Sequence, residues 1–154
     1  MTRTNNNMIK RFLIFTLLVI LVLSVSAQEG LKINQLFDSR YRNNRQAVEV
    51  MVKGKVLKEY NLSLFRSLIL KNIAEEIKDI EVLVEIDTKD AIEKETGRIG
   101  GNLYFGFYQL DKKDGENRYI FFRNNHLRKN LEPEVTIVYM EGNTTLKELK
   151  KLFK

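Results

Sequence analysis

The sequence predicts an α+β domain, with an antiparallel sheet of about four strands and helices packed on one face. Three observations carry this. Leu103, Phe105 and Phe107 alternate with Tyr104, Gly106 and Tyr108, and Arg118 to Arg123 returns after a polar turn, which together read as a β-hairpin. Val135, Ile137 and Tyr139 alternate behind Pro133, which can open a strand without interrupting its ladder. Thr145 and Glu148 have capping-box spacing ahead of Leu146, Leu149, Leu152 and Phe153, the apolar face of a C-terminal helix.

The elements follow in chain order. Gln28 to Arg45 opens the domain, with Leu31, Ile33, Leu36 and Phe37 placed to pack on the core and Arg40 to Arg45 as a basic loop. Val48, Val50 and Val52 fall on one face of a half-buried strand, and Lys55 to Tyr60 is a candidate continuation beyond a bend at Gly54. Leu62 to Leu70 fits either a short helix or a buried strand, because periodicity cannot separate the two over so short a run. Asn72 with Glu75 suggests a cap, and Ile73, Ile77, Ile80 and Val84 predict a helix over about 73–84. The alternation of Ile80, Val82, Val84 and Ile86 leaves a strand open there. Asp87 to Thr96 is a charged helical turn or loop, Gly100-Gly101 is a turn, and Asp111 to Asn117 is the hairpin loop.

The N-terminus reads as a secretion address. Arg3, Lys10 and Arg11 precede an uncharged run from Phe12 to Val25, and Val25 and Ala27 suit a signal peptidase. The expected organisation is a signal peptide over 1–27, cut before Gln28, and a single α+β domain over 28–154. The alternative is an uncleaved anchor, which needs roughly 20 apolar residues to cross about 30 Å of hydrocarbon; the run from Phe12 to Ala27 is shorter. Met8-Ile-Lys-Arg is itself a compact n-region, so Met8 is an alternative start to Met1. The chain has no Cys, which excludes a lipoprotein, a disulfide framework and thiolate zinc sites.

Arg3, Lys10 and Arg11 supply half of the formal charge of +6, so the exported domain has no strong basic bias and no nucleic-acid partner is expected. Nine Phe and six Tyr can supply much of the buried area. No cofactor and no metal are expected. The acidic run Asp87, Asp90, Glu93 and Glu95 is interrupted by Lys89 and Lys94, and Gly97 comes too late for a calcium loop. The single His126 has no nucleophile or carboxylate at a recognisable spacing, so no catalytic residue is assigned.

The candidate ligand-binding residues are Tyr104, Tyr108, Tyr119, Arg123, Asn125, His126 and Arg128. The three tyrosines are expected to share a hairpin face opposite Phe105 and Phe107, beside Arg118 and Arg123, as a surface for sugar, peptide or partner protein. The other possibility is that helices cover this face and the tyrosines are core. The segment from Arg123 to Lys129 and the loop from Arg40 to Arg45 could meet an anionic envelope polymer.

Several stretches carry a resemblance: Leu62-Ser63-Leu64-Phe65-Arg66-Ser67-Leu68, Gly101-Asn102-Leu103-Tyr104-Phe105-Gly106-Phe107-Tyr108, Tyr119-Ile120-Phe121-Phe122-Arg123-Asn124-Asn125, Val135-Thr136-Ile137-Val138-Tyr139-Met140-Glu141-Gly142, and Leu146 to Phe153. Over most of the exported chain the sequence resembles a family of exported Bacteroidales proteins, a domain of unknown function. More loosely it resembles another Bacteroidetes family of small exported domains, in which a late strand ends in Gly before a short C-terminal helix. Neither resemblance implies catalytic or binding residues; both imply a Gram-negative envelope setting, in the periplasm or at the cell exterior, where the signal peptide engages the membrane only transiently. The expected function is a non-enzymatic binding or accessory protein with an envelope protein or glycan as partner. The alternatives are a small hydrolase with a site assembled from scattered carboxylates and His126, and a structural subunit of an envelope assembly.

Overall fold

The structure is a computed structural model in which residues 30–153 are described. The expected signal peptide, its cleavage before Gln28 and the alternative start at Met8 lie outside the described residues. Among the described residues no helix is long and apolar enough to cross a membrane.

Six strands form one antiparallel sheet in the order β1-β2-β6-β5-β4-β3. They are β1 (Ala47–Lys53), β2 (Leu62–Lys71), β3 (Glu93–Ile99), β4 (Asn102–Lys113), β5 (Glu116–Asn124) and β6 (Glu134–Gly142). Helix α1 (Ile77–Thr88) connects β2 to β3, and α2 (Leu146–Leu152) follows β6. The expected four strands are therefore six. Leu62 to Leu70, ambiguous in sequence, is β2, inserted between β1 and β6. The added edge strand β3, Glu-Lys-Glu-Thr-Gly-Arg-Ile, has mostly exposed side chains and no apolar alternation, so its sequence does not announce a strand.

The helices lie on opposite faces of the sheet, not on one. Leu68 and Leu70 of β2, Val135 and Ile137 of β6, and Ile120 and Phe122 of β5 are buried on one face. Buried Ile80 and Val84 of α1 pack on that side, where Thr88 reaches the Tyr108 hydroxyl. The other face carries Phe107, Tyr119, Val138 and Met140, which form a core with Leu146 and Leu149 of α2 and with Leu57. A sheet covered on both faces needs apolar residues at both parities, which explains why β5 and β6 read as nearly continuous apolar runs.

Local chemistry sets the element ends. Asn72 has a φ of 53°, a left-handed conformation unlike the extended backbone of an N-cap, so the expected cap with Glu75 does not form and α1 starts later, at Ile77. The 72–86 segment is thus turn then helix, and the strand alternative is excluded. Lys55–Tyr60 is a 3-10 turn, not a continuation of β1. The hairpin loop is tighter than expected. Lys113 pairs with Glu116, leaving Asp114 and Gly115 at φ 52° and 85°, the two positive-φ positions of a two-residue turn. The Thr145–Glu148 capping box on α2 is present in both directions.

Asp87, at the end of α1, accepts the backbone N–H groups of Lys32 and Ile33 at 2.8 Å each, which ties the opening segment to the helix. Glu95 pairs with Lys150 across to α2, and Asp90 with its neighbour Lys89. The acidic run is thus dispersed over separate partners. Among the described residues no group of three or more His, Asp or Glu side chains is placed to hold a metal ion.

Candidate functional site

The site starts from an irregularity in β4. Gly97 pairs with Phe105 and Arg98 with Leu103, so Tyr104 is an extra residue in the ladder. This bulge switches the parity of the strand. Leu103 is buried on the α1 side, where the Glu81 carboxylate accepts its N–H at 2.7 Å. Phe105 and Phe107 point to the α2 side, and Tyr104 is brought to that side with them. Gly97 makes room for this arrangement, since a Cβ there would come within 2.8 Å of the Phe105 ring.

The result is an open groove of about 250 Å³ between α2 and the sheet. Its apolar lining is Phe105, Phe107, Phe121 and Phe153. Phe153 stacks on Phe121 at 4.9 Å between ring centroids and meets Phe107 edge-on at 5.6 Å. Phe105, Phe121 and Phe153 remain partly exposed. The Glu95–Lys150 pair closes one end of the groove, and Tyr104 with Arg123 forms the other.

At that second end two guanidinium groups flank one ring. Arg128 lies 4.8 Å from the Tyr104 centroid and Arg123 6.0 Å from it. Arg123 also donates to the Tyr104 hydroxyl at 3.4 Å and through Nε to Asn125 Oδ1 at 2.9 Å. Neither arginine has a carboxylate within ion-pair distance among the described residues. Asn125 belongs to a short 3-10 turn, Asn125–Leu127, whose cap is the buried Asn124 accepting the His126 N–H at 3.1 Å. Two positive groups are thus held by a ring and an amide, with no carboxylate counter-charge among the described residues, beside an apolar groove, an arrangement whose chemistry suits an anion.

Of the seven sequence candidates, Tyr104, Arg123, Asn125 and Arg128 come together here. Tyr108 and Tyr119 do not. Tyr108 is buried against α1, where desolvation raises its hydroxyl pKa. Tyr119 is buried under α2 and donates to the Thr144 carbonyl at 2.7 Å. The three tyrosines therefore do not share an exposed face. His126 stands in the turn with Asn125, and partial burial lowers its imidazole pKa. Its Nε2 is buried and has no hydrogen-bond partner among the described residues. Phe105, Phe107, Phe121 and Phe153 are functional candidates that sequence reasoning assigned to the core or to a helix face. The cue was the pairing of an aromatic strand with a glycine-bearing charged one.

Two polar hollows lie elsewhere. One, of about 520 Å³, is lined by Glu93, Gln109 and Asn117 with the residues around Thr145. The other, of about 560 Å³, is lined by Lys55, Lys58, Ser63 and Glu116, with the Ser63 hydroxyl 2.6 Å from the Glu116 carboxylate. Each contains one carboxylate, and His126 lines neither.

Fold and site together define a six-stranded antiparallel domain, helix-covered on both faces, with an aromatic groove that ends at two arginines lacking a carboxylate partner among the described residues. The chain belongs to a family of unknown function, DUF6108, whose model matches residues 20–153. No curated protein and no solved structure matches it.

Proposed function

We propose that this chain is a non-enzymatic binding protein of the Gram-negative envelope, exported by its N-terminal signal and acting in the periplasm or at the cell exterior. Its groove takes a segment of a partner protein that presents an aromatic or large apolar side chain next to a carboxylate. The observation that carries this is the pair Arg123 and Arg128, flanking Tyr104 without a carboxylate partner among the described residues, at the mouth of a phenylalanine-lined groove. The apolar part supplies burial, at about 25 cal/mol for each Å² removed from water, and the arginines supply orientation and selection of charge.

The hydrolase alternative draws less support, because the polar hollows hold single carboxylates and His126 lines neither. Export rests on the order of charge, apolar run and small residues before Gln28.

The test is an amide-shift titration of the protein with peptides ending in Phe with a free C-terminal carboxylate, alongside affinity capture from envelope extract. Shifts confined to Tyr104, Phe121, Arg123 and their neighbours, and lost in the folded Arg123→Ala/Arg128→Ala variant, support the reading. A partner held equally well by both baits, or substrate turnover abolished by one side-chain change, overturns it. Glycan retention dependent on the same arginines would move the ligand class from protein to sugar. Recovery of the processed chain from the cytoplasm would overturn the localisation.

A further inference from the structure

The two edges of the sheet are built differently. The β3 edge carries Glu93, Lys94, Glu95 and Arg98 and is interrupted by the bulge opposite Gly97, which are devices that keep another strand from adding to it. The β1 edge, Ala-Val-Glu-Val-Met-Val-Lys, is regular and largely apolar. Val48, Val50 and Met51 are 53%, 44% and 49% exposed.

The backbone of β1 has a definite polarity. The Lys71 N–H donates to the Gln46 carbonyl at 2.8 Å, and the Gly54 N–H to the Ser63 carbonyl at 3.4 Å. Both pairs continue the β1–β2 register, so even-numbered residues turn their N–H and C=O groups towards β2. The odd-numbered residues Glu49, Met51 and Lys53 turn theirs outward.

We propose that β1 pairs antiparallel with β1 of a second copy of this chain, about a two-fold axis through Met51. Hydrogen-bonded antiparallel pairs must join outward-facing residues, which restricts the register to odd positions. Among the registers so allowed, the one centred on Met51 sets Glu49 opposite the partner's Lys53, and Lys53 opposite the partner's Glu49. Centring on Glu49 or on Lys53 would oppose like charges, while centring on Val50 or Val52 leaves the two charges unmatched. The Met51 register also places Val50 beside the partner's Val52 on the α2 face. Opposite charges across an antiparallel pair stabilise it and like charges destabilise it. An in-plane pairing has its two-fold axis perpendicular to the sheet, so the result is a continuous twelve-stranded sheet with both aromatic grooves on one side. A single strand on each side is a small contact against a standard interface of about 1,600 Å². The dimer is therefore weak and dependent on concentration. This inference stands apart from the groove's ligand.

The experiment is sedimentation velocity over a concentration series, with protein expressed from the full-length gene and purified as its host processes it. Wild type is expected to dimerise reversibly. Lys53→Glu opposes two carboxylates at each of two symmetric positions and leaves the Glu49–Arg66 ion pair in place, and it is expected to weaken dimerisation by about tenfold or more. Glu49→Lys is expected to do the same, and Glu49→Lys/Lys53→Glu to restore the dimer relative to either single variant. Met51→Pro removes an outward N–H while leaving the β2 ladder intact, and is expected to give a folded monomer by circular dichroism. A wild type that stays monomeric at its highest soluble concentration overturns the proposal. So does a dimer indifferent to Lys53→Glu and Met51→Pro, or a double reversal that fails to restore association.

Discussion

The Glu81 carboxylate accepts the backbone N–H of Leu103 at 2.7 Å, and both residues are buried. Leu103 is the residue at which the β4 bulge redirects the strand, and Arg98 and Lys78 stand at 3.5 and 3.4 Å on the exposed side of the same carboxylate. The α1 face of the sheet thus fixes the irregularity that brings Tyr104 to the groove on the other face. Glu81→Leu would leave the Leu103 N–H buried without an acceptor and is expected to cost about 2–3 kcal/mol, whereas Glu81→Gln keeps an acceptor and costs less. Urea unfolding of the three proteins checks this order, provided the slopes agree. A Leu variant as stable as wild type would show that the amide finds another partner.

His126 sets a pH dependence with a definite sign. Desolvation holds its imidazole below its ordinary value of 6.5. Between the native pKa and about 6.5 the unfolded chain therefore binds more protons than the native one, and stability rises with pH through that window. The His126 contribution is complete above the unfolded value and is lost as the pH falls below it. Since the chain has one histidine, its imidazole signal titrates alone in a proton spectrum, and the midpoint is expected below 6.5. The pH slope in this window should disappear in a folded His126→Gln variant. An imidazole midpoint above 6.5 would contradict the burial argument.

The hairpin, β6 and α2 were legible because each is fixed by neighbours in sequence: Asp114-Gly115 in the turn, Pro133 ahead of β6, Thr145 with Glu148 at the cap. β3 was not. An edge strand with charged side chains has no buried face to impose alternation, and it exists because β4 supplies its ladder. The start of α1 was misplaced because Asn72 has the residue type of a cap but a left-handed backbone. At the site, Arg123, Asn125 and Arg128 were found as a local run of polar residues. Of the two readings of the tyrosines, core holds for Tyr108 and Tyr119, and the shared exposed face fails by parity. Tyr104 and Tyr108, four residues apart, share a face only in a regular strand, and the bulge separates them. Tyr119 pairs with Gln109 and so falls on the face of Phe107. Only the tertiary register carries that information.

The cap of α2 gives a local test. Thr145 accepts the Glu148 N–H, and the Glu148 carboxylate accepts back from the Thr145 N–H at 2.9 Å. These hydrogen bonds, backbone first, hold the Glu148 pKa below its ordinary value. The associated stability is present above the unfolded pKa and is lost as the pH falls through the native one. Thr145→Ala is expected to cost about 1 kcal/mol at neutral pH. It should also raise the Glu148 pKa towards 4.5, read from its carboxyl carbon shift in an acid titration. The backbone N–H stays in the variant, so the rise is partial, and an unchanged pKa would remove the Thr145 hydroxyl from the account.

The groove can be altered from its floor without touching the arginines. Gly97→Ala introduces a Cβ against the Phe105 ring, whose Cδ1 would be 2.8 Å away. The ring is at the end of a rotatable side chain and only partly buried, so it is expected to swing into the groove. Such overpacking typically costs about 1–3 kcal/mol, and the freedom of this ring points to the lower part of that range. Phe153→Ala does the reverse, removing the ring stacked on Phe121 and widening the groove towards α2. If aromatic burial supplies affinity, both variants bind the Phe-terminated peptide more weakly while retaining Arg123 and Arg128. Gly97→Ala loses space for the ligand ring, and Phe153→Ala loses a wall against which it packs. The two are distinguished by a larger ligand: naphthylalanine in place of Phe should recover affinity with Phe153→Ala and lose more with Gly97→Ala. Equal affinity for both peptides in both variants would place the aromatic contact outside this groove.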